Sequence, residues 1–100
     1  MICVTIARHS RRFALAGILN AARMSADLVE VRLDTIDHEP DLAEMIAAKR
    51  TPLIFSCRRP QDGGSWKHSE EERLQLLRRC AAAGAEYVVV EHDVAGQFER

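Results

Sequence analysis

The 100-residue chain is poor in aromatic side chains, at 5%, and holds only three prolines and five glycines. It has no excess of either charge: 14 lysines and arginines stand against 15 aspartates and glutamates, a formal net charge of -1. Without a basic block there is no electrostatic footprint for nucleic acid, whose phosphates demand clustered Lys and Arg, so no nucleic-acid partner is expected. The longest apolar runs, such as Tyr87-Val88-Val89-Val90, fall far below the ~20 residues needed to cross a bilayer. No membrane partner is expected either. The chain does not open on a basic head followed by a long apolar segment, which points to a cytoplasmic location.

Other signatures are missing as well. Cys3, Cys57 and Cys80 are odd in number and far apart, with no C-x-x-C pair and no histidine at zinc spacing, so neither a disulfide framework nor a zinc site is expected. Each lies on an expected strand or helix and is read as a small buried apolar group. There is no G-x-G-x-x-G, no G-x-x-x-x-G-K-[ST] and no G-x-S-x-G, which removes the dinucleotide, P-loop and hydrolase-elbow readings. His9, His38, His68 and His92 are scattered on expected loops or strand ends without an i, i+4 pair, and are read as solvated.

The sequence does contain a regular alternation. Ile2-Cys3-Val4-Thr5-Ile6 is short and nearly all apolar, as a first strand covered on both faces should be. Ser10 caps a helix with Phe13, Leu15, Ile18, Leu19 and Ala22 at helical spacing, weakened slightly by Gly17. Asp27 to Asp34 alternates strictly, with Leu28, Glu30, Arg32 and Asp34 on one face. Pro40 suits the first turn of a second helix, with Leu42, Met45 and Ile46 as its stripe and Lys49 and Arg50 at its end. Pro52 starts a third strand through Cys57, and a long loop with Gly63-Gly64 runs from Arg58 to His68. Ser69-Glu70-Glu71-Glu72 forms a capping box for a helix through Leu74, Leu77, Cys80 and Ala81 that ends at Gly84. Tyr87 to Glu91 reads as a buried fourth strand, and another helix starts around residues 95 to 100. Such an order implies a parallel α/β sheet with right-handed crossovers, either open and doubly wound or part of a closed barrel.

In such folds the functional site gathers at the carboxyl ends of the strands. The polar residues expected there are Thr5 and Arg8 after the first strand, Glu30, Arg32 and Asp34 on the second, Arg58 and Asp62 after the third, and Glu91 on the fourth. Glu30 and Arg32 are two apart, so both project to one side. Buried charge of this kind needs a partner or a polar ligand. The pattern alone fits a register-fixing ion pair as well as a binding pair. Arg58, beside two glycines, is placed to grip a hydroxyl or carboxylate, or else is an exposed loop arginine.

Glu30-Val31-Arg32-Leu33-Asp34, followed by Ser56-Cys57-Arg58 with Asp62-Gly63-Gly64 and then by Val90-Glu91, resembles the N-terminal half of the type I 3-dehydroquinate dehydratases. The resemblance runs from Ile2 to about Asp93. It implies the first half of a (βα)8 TIM barrel, four parallel strands with three to four helices, forming over residues 1–100 a single partial α/β barrel domain. It further implies a lyase of the shikimate pathway of aromatic amino acid biosynthesis. That enzyme dehydrates 3-dehydroquinate through a Schiff base on a lysine, with a histidine moving the protons and no cofactor or metal. By position, Glu30 and Arg32 match the family's substrate-binding pair, Arg58 the arginine that reaches the substrate hydroxyls, and Thr5 a small hydroxyl residue near the substrate. Asp62 matches an acidic position, usually Glu, that orients the catalytic histidine. Asp34 and Glu91 are supporting charges, and the fourth strand has Val89-Val90-Glu91 where the family often has Asp-x-Glu.

Lys49 and Lys67, the lysines of this chain, do not match the imine position. A whole barrel takes roughly 250 residues. The expectation is therefore a chain that binds the small-molecule substrate but is inactive alone, completed by self-association or by a C-terminal half. A flattened open sheet is a third arrangement of the same strands. The alternative to an enzyme part is a non-catalytic α/β assembly module in which the same charges form a structural network.

Overall fold

Hydrophobic periodicity and caps divide the chain where the secondary structure divides it. The computed structural model describes residues 1–37 and 39–98, so His38 and the last two residues of the expected final helix lie outside the described residues. Strand β1 (Cys3–Ile6) leads to helix α1 (Arg11–Ala21), β2 (Leu28–Arg32) to α2 (Leu42–Ala48), and β3 (Leu53–Ser56) to α3 (Glu70–Ala83). Strand β4 (Tyr87–Val88) leads to the short α4 (Ala95–Phe98). The strands form one parallel sheet in the order β1-β2-β3-β4.

That order decides between the two topologies left open above. A doubly wound sheet reverses its strand order and so carries helices on both faces. Here the order never reverses, and right-handed crossovers then place every helix on the same side. Val29, Val31, Leu53 and Phe55 turn to that side and are completely buried, in one cluster with Ile18 of α1, Met45 of α2 and Leu77 of α3. Each such side chain stabilises the fold by about 1.5–3 kcal/mol. Among the described residues the opposite face has no helix over it, and the whole is the singly wound sheet of a barrel's first half.

Three caps stand where the sequence puts them, and a fourth is displaced. Ser10 Oγ accepts from the Arg12 N–H, and Ser69 Oγ from the Glu72 N–H, both at 3.1 Å, and Gly84 closes α3 in the left-handed conformation. The cap of α2 is Asp41, whose Oδ1 accepts from the Glu44 N–H at 3.0 Å. Pro40 therefore precedes the cap rather than occupying the first turn.

Further expectations need correction. β1 is not covered on both faces: its burial alternates, Ile6 being buried and Cys3 and Thr5 exposed, because only the helix side has a second layer, and Ile2 precedes the strand and is exposed. Cys3 is accordingly an exposed thiol, whereas Cys57 and Cys80 are buried, and burial pushes both of those thiols up to about 12. The fourth strand pairs over two residues only, and Tyr87, which is paired with Ile54, and Val89 turn to the face without helices and remain exposed. The strict alternation of the second strand stops at Arg32, where Leu33–Thr35 winds into a 3-10 turn.

The inward stripe of α1 is Ala14, Ile18 and Ala21, not the larger Phe13 and Leu19, which are exposed. Gly17 supplies the reason. A Cβ there would sit 3.0 Å from Ile6 Cδ1, so the helix rests directly on β1, and only small residues fit along that line of contact. Among the described residues no helix is long and apolar enough to cross a membrane.

Candidate functional site at the carboxyl ends of the strands

Parallel register puts Thr5 beside Glu30, Glu30 beside Ile54, and Arg32 beside Ser56. All of these point to the face without helices, so the polar residues of three neighbouring strands converge there. Glu30 is the centre. Its Oε1 accepts from Thr5 Oγ1 at 3.0 Å, and its Oε2 accepts from Ser56 Oγ at 2.7 Å and from Arg58 Nη2 at 3.3 Å. Burial pushes the Glu30 carboxyl up, but hydrogen bonds from Ser56 and Thr5, with the charge of Arg58, outweigh it and hold the group below its ordinary value. Glu30 is thus an anion, and the Arg58 side chain beside it is 43% exposed.

Arg32 shares the strand face with Glu30 but takes a different partner. Its Nη2 donates to Asp34 Oδ2 at 2.7 Å, and the same oxygen accepts the Ser65 N–H at 2.9 Å. The Asp34 side chain is fully buried. Burial raises its pKa, yet the bonds from Arg32 and Ser65 prevail and hold it below the ordinary value. Arg32 Nε and Asp34 Oδ1 are buried without a hydrogen-bond partner. The register-fixing Glu30–Arg32 pair that the pattern allowed is therefore replaced by two pairs, Glu30 with Arg58 and Arg32 with Asp34.

The loop after β3 holds Arg58 in place. Gly64 passes so close that a Cβ on it would lie 2.0 Å from the Arg58 carbonyl oxygen, so only glycine fits. Asp62 pairs at 2.6 Å with Arg59 Nε, and Arg59 reaches on to Asp93 at 3.0 and 3.2 Å. Glu91 lies against Arg73: Nη1 donates to Glu91 Oε2 at 3.1 Å, and Nη2 makes an ion contact of 2.8 Å with Oε1.

Two participants were not singled out from the sequence. Ser56 follows Ile54 by two residues and so must share Glu30's face, which period-2 reasoning could have found. Arg73 occupies the apolar stripe of α3, with Leu76, Leu77 and Cys80 at i+3, i+4 and i+7, and is wholly buried. An arginine in that stripe was a readable signal of a buried ion pair. A cavity of about 630 Å³ lies to one side, between the loops after β2 and β3 and helix α3, lined by Asp34, Ser65, Trp66 and His68 among others. Glu30 and Arg58 do not line it; their cluster lies on the open sheet face. Among the described residues no three His, Cys, Asp or Glu side chains group as metal ligands.

A parallel sheet without reversal and a Thr-Glu-Ser-Arg cluster at its strand ends is the geometry on the page, and comparison with known proteins gives it a family. Residues 2–100 match the family model of the type I 3-dehydroquinases. The chain belongs to that family. It is 38% identical over 90 residues to a 3-dehydroquinate dehydratase of Desulfotalea psychrophila, covering 90% of this chain and 38% of that protein. A 3-dehydroquinate dehydratase of Dehalococcoides mccartyi is 40% identical over 91 residues, 91% of this chain and 38% of its own length. A bifunctional chloroplastic 3-dehydroquinate dehydratase/shikimate dehydrogenase of Arabidopsis thaliana is 35% identical over 101 residues, 98% of this chain and 17% of the relative. The type I 3-dehydroquinase chain described here therefore spans well under half the length of these relatives.

Proposed function

We propose that the chain supplies the substrate-holding part of a 3-dehydroquinate dehydratase, the enzyme that removes water from 3-dehydroquinate to give 3-dehydroshikimate in the shikimate pathway. The observation that carries this reading is the chain of hydrogen bonds from Thr5 through Glu30 and Ser56 to Arg58 across three strand ends on the open face. An anionic glutamate accepts from substrate hydroxyls, and a half-exposed guanidinium donates to hydroxyls or to a carboxylate, so the cluster suits a small polyhydroxylated acid. Arg32 adds a second guanidinium on the same face. Asp62 is proposed to orient a catalytic histidine, for which it would exchange its contact with Arg59.

The imine chemistry belongs to a lysine and a histidine supplied from outside residues 1–100. Lys49 is paired with Glu86, whose other oxygen accepts the Leu53 N–H at the amino end of β3, the end opposite the cluster. Lys67 lies exposed in the loop before α3. Borohydride trapping with 3-dehydroquinate tests the division of labour: no adduct forms on this chain alone, and one forms when the carboxyl-terminal remainder of a relative is added. A trapped Lys49 or Lys67 would overturn it.

A second reading, a non-catalytic assembly module, is favoured by the fact that Glu30, Asp34 and Glu91 all have cationic partners within the chain. Arg58→Ala separates the two. Loss of 3-dehydroquinate binding with little change in melting supports the dehydratase part; a large loss of stability without a ligand effect supports the module.

A further inference from the structure

We infer that Arg73 is a positioning residue for Arg58: from beneath the sheet's carboxyl end it fixes the backbone from which Arg58 reaches Glu30. The significance of Arg58 for substrate rests on the function proposed above; the mechanical link does not.

The hydrogen-bond ladder between β3 and β4 is short. Its last rung is the Val89 N–H on the Phe55 carbonyl at 2.9 Å. Bonds of a parallel ladder recur every second residue, so the next carbonyl in line is that of Cys57 and the next residue opposite is Glu91. Both end on one guanidinium. Arg73 Nη1 donates to the Cys57 carbonyl at 2.8 Å and to Glu91 Oε2 at 3.1 Å. The remaining nitrogens are held in plane by Glu70, Nε at 2.8 Å and Nη2 at 2.7 Å. A wholly buried arginine of α3 thus continues the sheet by one rung where the backbone stops doing so.

Arg58 is the next residue after that carbonyl. Arg58 is therefore held from both sides: Arg73 orients the Cys57–Arg58 peptide before it, and Gly64 passes close against its own carbonyl after it. The planar fork of arginine suits this task, since it meets a carbonyl and two carboxylates at fixed angles. Among the described residues Arg73 makes no hydrogen bond or ion pair with Glu30, so the link to the cluster runs through Arg58.

The test is the titration of the Glu30 side-chain carboxyl by carbon-13 NMR in the labelled chain, with and without Arg73. Arg58→Ala raises the Glu30 midpoint by removing its cationic neighbour. Arg73→Met is expected to raise it by about half as much or more, and the double variant no further than Arg58→Ala alone, as for two residues acting in series. Glu91→Gln, which removes one charge and keeps the side-chain shape, is expected to move it in the same direction and stands in if Arg73→Met fails to fold. An unmoved Glu30 midpoint in a folded Arg73→Met or Glu91→Gln chain overturns the inference, as does an effect of Arg73→Met that adds in full to that of Arg58→Ala. Calorimetric titration with 3-dehydroquinate separates the two proposals: if no variant and not the native chain binds it while Glu30 moves as stated, the functional reading fails and the positioning role stands.

Discussion

On one face of the sheet Val29, Val31, Leu53 and Phe55 are sealed beneath three helices; on the other their immediate neighbours Glu30, Arg32 and Ile54 are only partly buried, and Ser56 is buried against the Glu30 carboxylate. The same strands build both, residue by residue in alternation. The covered face gains its free energy from area removed from water, which is indifferent to direction. The open face is held by directional hydrogen bonds among Thr5, Glu30, Ser56 and Arg58, each worth little to stability but specific in geometry. Mutations on the first face should therefore show in unfolding, and mutations on the second in ligand binding.

The largest effect expected is Phe55→Ala, a loss of about 3–5 kcal/mol from cavity formation, read as a drop in urea midpoint. Its neighbour Ile54, half-buried on the open face, is expected to lose only about 1 kcal/mol on Ile54→Ala; equal losses would break the comparison. Gly64→Ala comes next at about 1–3 kcal/mol, because the new methyl cannot share space with the Arg58 carbonyl. Its signature is a weaker Arg58–Glu30 contact, seen as a raised Glu30 midpoint by NMR.

Acid should separate the faces by pH. Glu30 and Asp34 both titrate below their ordinary values in the folded chain, so the stability they contribute is complete above about pH 5 and is lost as pH falls through about 4 toward the folded pKa values. Glu30→Gln should flatten that part of the stability profile while leaving the unfolding slope with urea unchanged. The smallest effect expected is Thr5→Val, about 0.5–1 kcal/mol for one exposed hydrogen bond, accompanied by a proportionally greater loss of 3-dehydroquinate affinity in calorimetry.

Much of the architecture was legible because it rests on local signals. Ser10, Ser69 and Gly84 act where their side chains or lack of one demand, and the apolar period switches from two to near four at each strand-helix boundary. Less legible was which residues of α1 face inward, since Gly17's approach to Ile6, not hydrophobicity, selects Ala14 over Phe13. In the candidate site, Thr5, Glu30 and Arg58 come together as the strand-end argument expects. Arg32 does not join them directly, because the chain turns after it and presents Asp34.

The sequence by itself determined that this is a βα repeat, that its strand ends carry charge, and that its motif matches the type I 3-dehydroquinases, because caps, periods and residue order are properties of neighbours along the chain. Only the tertiary structure decided who pairs with whom. Glu30 is 28 residues from Arg58, and Arg73 is 18 from Glu91; contacts at such separations depend on strand order and register, which no local pattern contains.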